Sequence, residues 1–311
     1  MSAGAPAFAP WQQRMLDRTR ETLEAQRLGH ALLFCGPARL GKRTVAEALA
    51  AHILGAAGDA RSSQLLAAGT HPDFHLVSFG PTRDGSKLRS EIVIEQIREL
   101  SQKLSLTPQY GRAQVAIVDP ADAVNNAACN ALLKTLEEPQ PGRHLWLVAA
   151  SPARLPATIR SRCQRIEFRL PPRDEALAWL TRQGHRERDA AEALDAAHGH
   201  PGLAADWLES GGMQLRREVE KDLAGIARNE LAVVATAQRW AGDDHAALRL
   251  RHAADLVRAR AAGLTDPVGI AKLAEWFDAA NRTRDLLRTT VRSDLAIVEL
   301  LLAWRASAAR H

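Results

Sequence analysis

Cysteine, lysine and long apolar runs are scarce in this chain, and each scarcity excludes something. Cys35, Cys129 and Cys163 are the only cysteines and are widely separated, with no CxxC spacing. Neither a disulfide framework nor a cysteine zinc site can be built from them, so buried or spectator thiols are the expected state. No stretch approaches the ~20 apolar residues of a membrane span. The opening MSAGAPAFAPW lacks the basic-then-apolar order of a secretion signal. A cytoplasmic chain without a membrane role is expected. Six lysines stand against 35 arginines. Coding bias explains that ratio more simply than nucleic-acid binding does. A net charge of +5 and a pI near 9.5 permit contact with nucleic acid without demanding it. What is present is a 46% hydrophobic chain of 311 residues, enough for two or three packed domains.

Up to about residue 170, strand-like and helix-like stretches alternate. Strands are expected at His30–Cys35, Phe74–Phe79, Val115–Val118, Leu145–Ala150 and Arg165–Phe168. Helical stripes run through Lys42–Leu54, Ile94–Leu104 and Asn125–Glu138, the last stopped by Pro139. This alternation implies an α/β domain, a parallel sheet with helices on both faces. After Leu170-Pro171-Pro172 the strand signals vanish. Residues 173–210 suggest a small helical unit, broken at His198-Gly199-His200-Pro201-Gly202, and Gly211-Gly212 suggests a hinge into a last helical region. Trp179, Trp207, Trp240, Trp276 and Trp304 sit in these helical parts, where packing suits them better than base stacking.

GPARLGK, Gly36–Lys42, lies between a strand and a helix, the setting in which GxxxxGK becomes a phosphate loop. Its glycines turn backbone N–H groups toward a phosphate, the helix N-terminus adds positive potential, and Lys42 reaches the outer phosphates. The next residue should carry a hydroxyl for Mg²⁺, but it is Arg43, which cannot ligate a cation. Thr44 is one position too far along the helix. Asp119 ends the VAIVD strand where such folds place a carboxylate for Mg²⁺, and Pro120 stands where a base should polarise water. An ATPase scaffold is expected, without the ATPase chemistry. Gly36, Gly41, Lys42, Thr44 and Asp119 would line a degenerate nucleotide site at which ATP or ADP binding stays open.

Two further stretches, NALLKTLEEP at Asn130–Pro139 and SRC at Ser161–Cys163, follow the loop in order. Together they resemble the AAA+ clamp-loader family over the first ~170 residues, more than one short motif could. The resemblance implies a RecA-like AAA+ P-loop module at 1–170, a small helical lid at 171–210 and an all-α collar at 211–311. The altered phosphate loop sets the chain apart from the gamma/tau motors and implies a member without intrinsic catalysis. A self-sufficient motor of gamma/tau type and an AAA+ adaptor outside replication are the competing readings. Family members usually carry a four-cysteine zinc knuckle after the phosphate-loop helix. Here Leu54–His71 has no cysteine, so a metal-free loop and no zinc are expected. The implied partners are gamma/tau and delta subunits, with the sliding clamp and primed DNA reached through a hetero-oligomer.

In the family the SRC arginine acts in trans on a neighbour's ATP, which gives Arg162 the role of an arginine finger. The plainer alternative is that Arg162 pairs with a local acid such as Glu167. Lys134 either forms a helical surface pair with Glu138 or contacts DNA. His198 and His200, two apart with no third ligand, fit a turn with exposed imidazoles better than a metal site.

Overall fold

The computed structural model describes residues 8–308, apart from 56–57, 83–84, 86, 112, 288 and 290. The described chain forms two compact units. One contains the residues up to Gln183 together with Gly199–Gly202, and the other contains Gly184–His198 and Leu203 onward.

The first unit is a five-stranded, all-parallel sheet in the order β2-β3-β4-β1-β5. Its strands are β1 Ala31–Cys35, β2 Phe74–Val77, β3 Gln114–Val118, β4 Arg143–Ala149 and β5 Gln164–Glu167. The three central strands are apolar on both sides, as burial on two faces requires. Ala31, Leu33 and Cys35 of β1 pack with Ala116 and Val118 of β3 and Leu145, Leu147 and Ala149 of β4. On that face lie α4 Ile94–Ser105, α5 Asn126–Glu137 and α6 Ala157–Arg160. Leu32, Phe34, Val115, Ile117, Trp146 and Val148 alternate to the opposite face, against α1 Pro10–Glu24 and α2 Lys42–Ile53. The α/β layering read from the sequence is therefore present.

Three helices of this unit, the short α6 among them, are additions to that reading. Helix α1 starts with Pro10 at its first position, where a missing N–H costs nothing. The Leu54–His71 stretch, expected as a loop, contains α3 Ala60–Ala67. The Asp59 side chain accepts from the Arg61 N–H and caps it, and the buried Ser62 hydroxyl meets His71 Nε2 at 3.0 Å. Among the described residues, no three metal-ligating side chains converge. Helix α7 Arg173–Arg182 completes the unit, its Trp179 edge-on to Trp11 with centroids 5.2 Å apart.

The second unit is helical: α8 Glu187–Ala196, α9 Pro201–Glu209 from Leu203 onward, α10 Gly212–Ala227, α11 Val233–Ala241, α12 Ala246–Ala262, α13 Pro267–Leu286 and α14 Ser293–Ala308. Trp240, Trp276 and Trp304 are core residues here, as their spacing suggested. Each indole N–H has a buried acceptor: Asp222 Oδ2 at 2.8 Å, the Leu300 carbonyl at 3.0 Å and the Leu223 carbonyl at 2.8 Å. Trp207 packs edge-on against the fully buried His252. Gly211, at φ +78°, makes the tight turn between α9 and α10. His198 is exposed on a turn, but its ring is engaged by Asp255 and Arg258. No helix among the described residues is long and apolar enough to cross a membrane.

Candidate functional site

The phosphate loop leaves β1 at Cys35 and enters α2 at Lys42. Two of its residues must be glycine. Gly36 has φ +129° and its α-carbon lies so close to the Phe168 main chain that a Cβ would overlap the carbonyl. Gly41 is left-handed, at φ +79°, beneath the Gln12 side chain. The loop is stitched to α1: Trp11 Nε1 and Gln12 Nε2 both donate to the Leu40 carbonyl, at 3.1 and 3.2 Å.

The lysine does not point outward. Lys42 is 6% exposed, and its Nζ donates to the Gly36 and Pro37 carbonyls at 2.8 and 2.7 Å. Burial lowers its pKa, opposed by the charges of Asp119 and Asp122. The ammonium that would meet an outer phosphate is thus engaged by the loop's own backbone.

Arg43 stands at the position where a phosphate loop that binds metal carries a hydroxyl. Its Nε donates to Glu47 Oε1 at 2.7 Å, and its Nη1 lies 3.9 Å from Asp119 Oδ2. Burial raises the Asp119 pKa, with Arg43 and then Lys42 acting against it. Thr44 is exposed on α2. Pro120 follows Asp119 and offers no base. Asp122 accepts the Ser151 N–H at 2.8 Å and so ties the loop after β4 to the segment after β3. A similar role falls to Asp73, fully buried, whose carboxylate accepts the Gln109 and Tyr110 N–H groups at 2.8 and 2.7 Å. Neither role has a local sequence signal, because each acid serves a segment far away in the chain.

Two clefts, of about 730 and 710 Å³, lie elsewhere in this unit. One runs between α1 and the outer edge of β5, the other beside β2 and α4, and neither is lined by the phosphate loop. Size alone would place a ligand there, but the phosphate-loop chemistry is not in them.

The second group of site residues lies where α5 and α6 meet. Cys163 is 8% exposed, within the core cluster, and burial pushes its thiol up to about 11. The neighbouring Arg162 is thereby carried to the surface. Arg162 Nη2 lies 2.7 Å from Glu137 Oε1, and Nη1 donates to the Thr158 carbonyl at 2.9 Å. Its acidic partner is therefore Glu137, while Glu167 pairs with Arg169 at 2.9 Å. The structure thus joins SRC and NALLKTLEEP: the arginine of one is held by the first glutamate of the other. Lys134 is exposed on α5 and makes no ion pair among the described residues. Asn125 starts this helix by accepting the Ala128 N–H at 3.0 Å.

Residues 11–172 match a family described as "DNA polymerase III, delta subunit". The chain is 36% identical to the DNA polymerase III subunit delta' of Pseudomonas aeruginosa over 240 residues, 74% of this chain and 70% of that protein. It is 32% identical to the Escherichia coli subunit delta' over 223 residues, 69% of this chain and 65% of that one. A gamma subunit-related protein of DNA polymerase III from Thermotoga maritima shares the fold, with a TM-score of 0.52 at 17% identity, over 94% of this chain and 99% of that one. With this family match over residues 11–172 and delta' relatives at 32–36% identity, on a chain whose parallel sheet carries an altered phosphate loop and an exposed SRC arginine, the chain belongs to the DNA polymerase III delta-prime family.

Proposed function

We propose that this chain is a clamp-loader subunit that does not hydrolyse ATP, completes a neighbouring subunit's ATP site with Arg162, and so helps to load the sliding clamp onto primed DNA during replication. The observation that carries the reading is Arg43, which stands in place of the metal-binding hydroxyl with its Nη1 3.9 Å from Asp119 Oδ2. A magnesium ion would have to displace it. Even with Arg43 displaced, Pro120 supplies no group to activate water. A catalytic role in trans needs none of these parts, because an arginine finger acts on phosphate bound by another chain.

On this reading the partners are the gamma/tau subunit that receives Arg162 and the delta subunit, with clamp and DNA reached through the complex. The helical region from residue 211 would be the collar that joins the ring, and residues 171–210 the lid. Zinc is not required, since Ser62 and His71 tie the α3 segment by a hydrogen bond. No resident nucleotide is required either. The test is binding and turnover of ATP and ADP by the purified chain, with and without Mg²⁺. No turnover is expected, and binding, if measurable, should not depend on Mg²⁺. Magnesium-dependent hydrolysis by the isolated chain would favour the gamma/tau-like motor instead.

A further inference from the structure

We propose that Glu137 is a positioning residue for Arg162, a role that rests on reading Arg162 as the group acting in trans. An exposed arginine carries several freely rotating bonds, and a finger that wanders reaches its target geometry in only a fraction of its conformers. Here the guanidinium is held from two directions. The Thr158 carbonyl, one turn back in the chain, accepts from Nη1 at 2.9 Å, and Glu137 Oε1 meets Nη2 at 2.7 Å.

The two anchors come from different elements. Thr158 belongs to α6, which also carries Arg162 out of its C-terminal end. Glu137 is the last residue of α5, and Asn125 and Pro139 fix the limits of that helix. Helix α5 is seated through Ala128, Leu132 and Leu136, and Arg162 is seated through its neighbour Cys163, all in one core cluster. The distance between Glu137 and Arg162 is therefore set by packing beneath them.

The arrangement orders without locking. Arg162 and Glu137 side chains are 38% and 48% exposed. An ion pair this open shifts a conformer population by a few-fold at most. It selects one guanidinium position before the partner arrives, and a polyphosphate carrying several charges can outcompete the single carboxylate afterwards. Glu137 touches no substrate in this scheme and acts only through Arg162.

The test is a double-mutant cycle in the reconstituted loader: wild type, Glu137→Ala, Glu137→Gln, Arg162→Ala and the double Ala variant. Assembly is checked by gel filtration, and kcat and KM for ATP are measured separately with clamp and primed DNA. Glu137→Ala should lower kcat by about two- to fivefold, the reach of an exposed ion pair, with KM little changed. Glu137→Gln, which keeps an oxygen acceptor, should recover part of that loss. In the Arg162→Ala background, Glu137→Ala should change nothing further. An equal loss from Glu137→Ala in both backgrounds would show that it acts independently of Arg162 and would overturn the proposal. So would an undiminished rate in Glu137→Ala when Arg162→Ala is impaired, which leaves the finger itself standing. An unimpaired Arg162→Ala loader would remove both.

Discussion

Lys42→Met separates a structural lysine from a nucleotide-binding one. The substitution keeps the length of the side chain and removes its charge and donors. In this structure it strips the Gly36 and Pro37 carbonyls of their shared partner inside a site where the native side chain is 6% exposed. Two bonds to a charged group, at about 1.5–3 kcal/mol each, are set against the cost of burying the ammonium, a cost visible in its lowered pKa. The net loss should be about 2–3 kcal/mol. At about 2–4 °C per kcal/mol for a domain of this size, that is a fall in Tm of roughly 4–12 °C. Calorimetry of the purified chain measures it directly. On the proposed reading, in which Lys42 serves no phosphate, the ATPase of a loader assembled below the new Tm should be unchanged. A variant as stable as the wild type whose loader loses ATPase would refute this reasoning and place Lys42 on a nucleotide.

Other consequences can be read from buried groups. The Cys163 thiol, pushed from 9.0 up to about 11, has about 100-fold less thiolate at pH 8 than an unperturbed thiol. A thiol reagent should therefore label the native chain about 100-fold more slowly than the chain in guanidinium, and a rapid native burst of one thiol assigned to Cys163 would contradict this. His252 is fully buried and held down to about 4 by burial and, secondarily, by Arg216. Its folded pKa lies below the unfolded value of 6.5, so the unfolded chain binds the extra proton as pH falls between them. Urea unfolding at pH 7 and 4.5 should show about 2–3 kcal/mol of acid destabilisation from this residue, absent in His252→Phe. Trp304 donates to the Leu223 carbonyl, whereas the equally buried Trp146 Nε1 has no protein partner among the described residues. Trp304→Phe should therefore cost about 1 kcal/mol more than Trp146→Phe by denaturant unfolding.

The central strands were legible because a parallel strand buried on both faces reads as an apolar run, as in ALLFC of β1 and the VAIV of β3. Their spatial order was not legible, since nothing local to β1 says that β4 and β5 flank it. Helix α1 was missed although Pro10 at its start and Trp11, Leu16 and Thr19 on its buried side were available as signals. Helix α3 has only one fully buried residue, Ser62, so it carried no apolar stripe to read. At the site, the sequence singled out Arg43 and Pro120 as departures from an ATPase, because those positions are defined by neighbours one or two residues away. It did not disclose that Lys42 turns back onto its own loop, nor that Arg162 chooses Glu137 over Glu167. The first depends on the backbone conformation of the loop, and the second on how separate segments pack, since Glu137 lies 25 positions from Arg162 along the chain.

The most direct measurement is the clamp- and DNA-stimulated ATPase of a reconstituted loader carrying this chain as wild type or Arg162→Ala, with assembly verified by gel filtration. The account predicts an intact complex whose ATPase falls, by on the order of tenfold or more at the one site that receives this arginine. An intact complex with undiminished ATPase at that site would contradict it, and would leave Arg162 as a surface partner of Glu137 in a subunit that only holds the ring together.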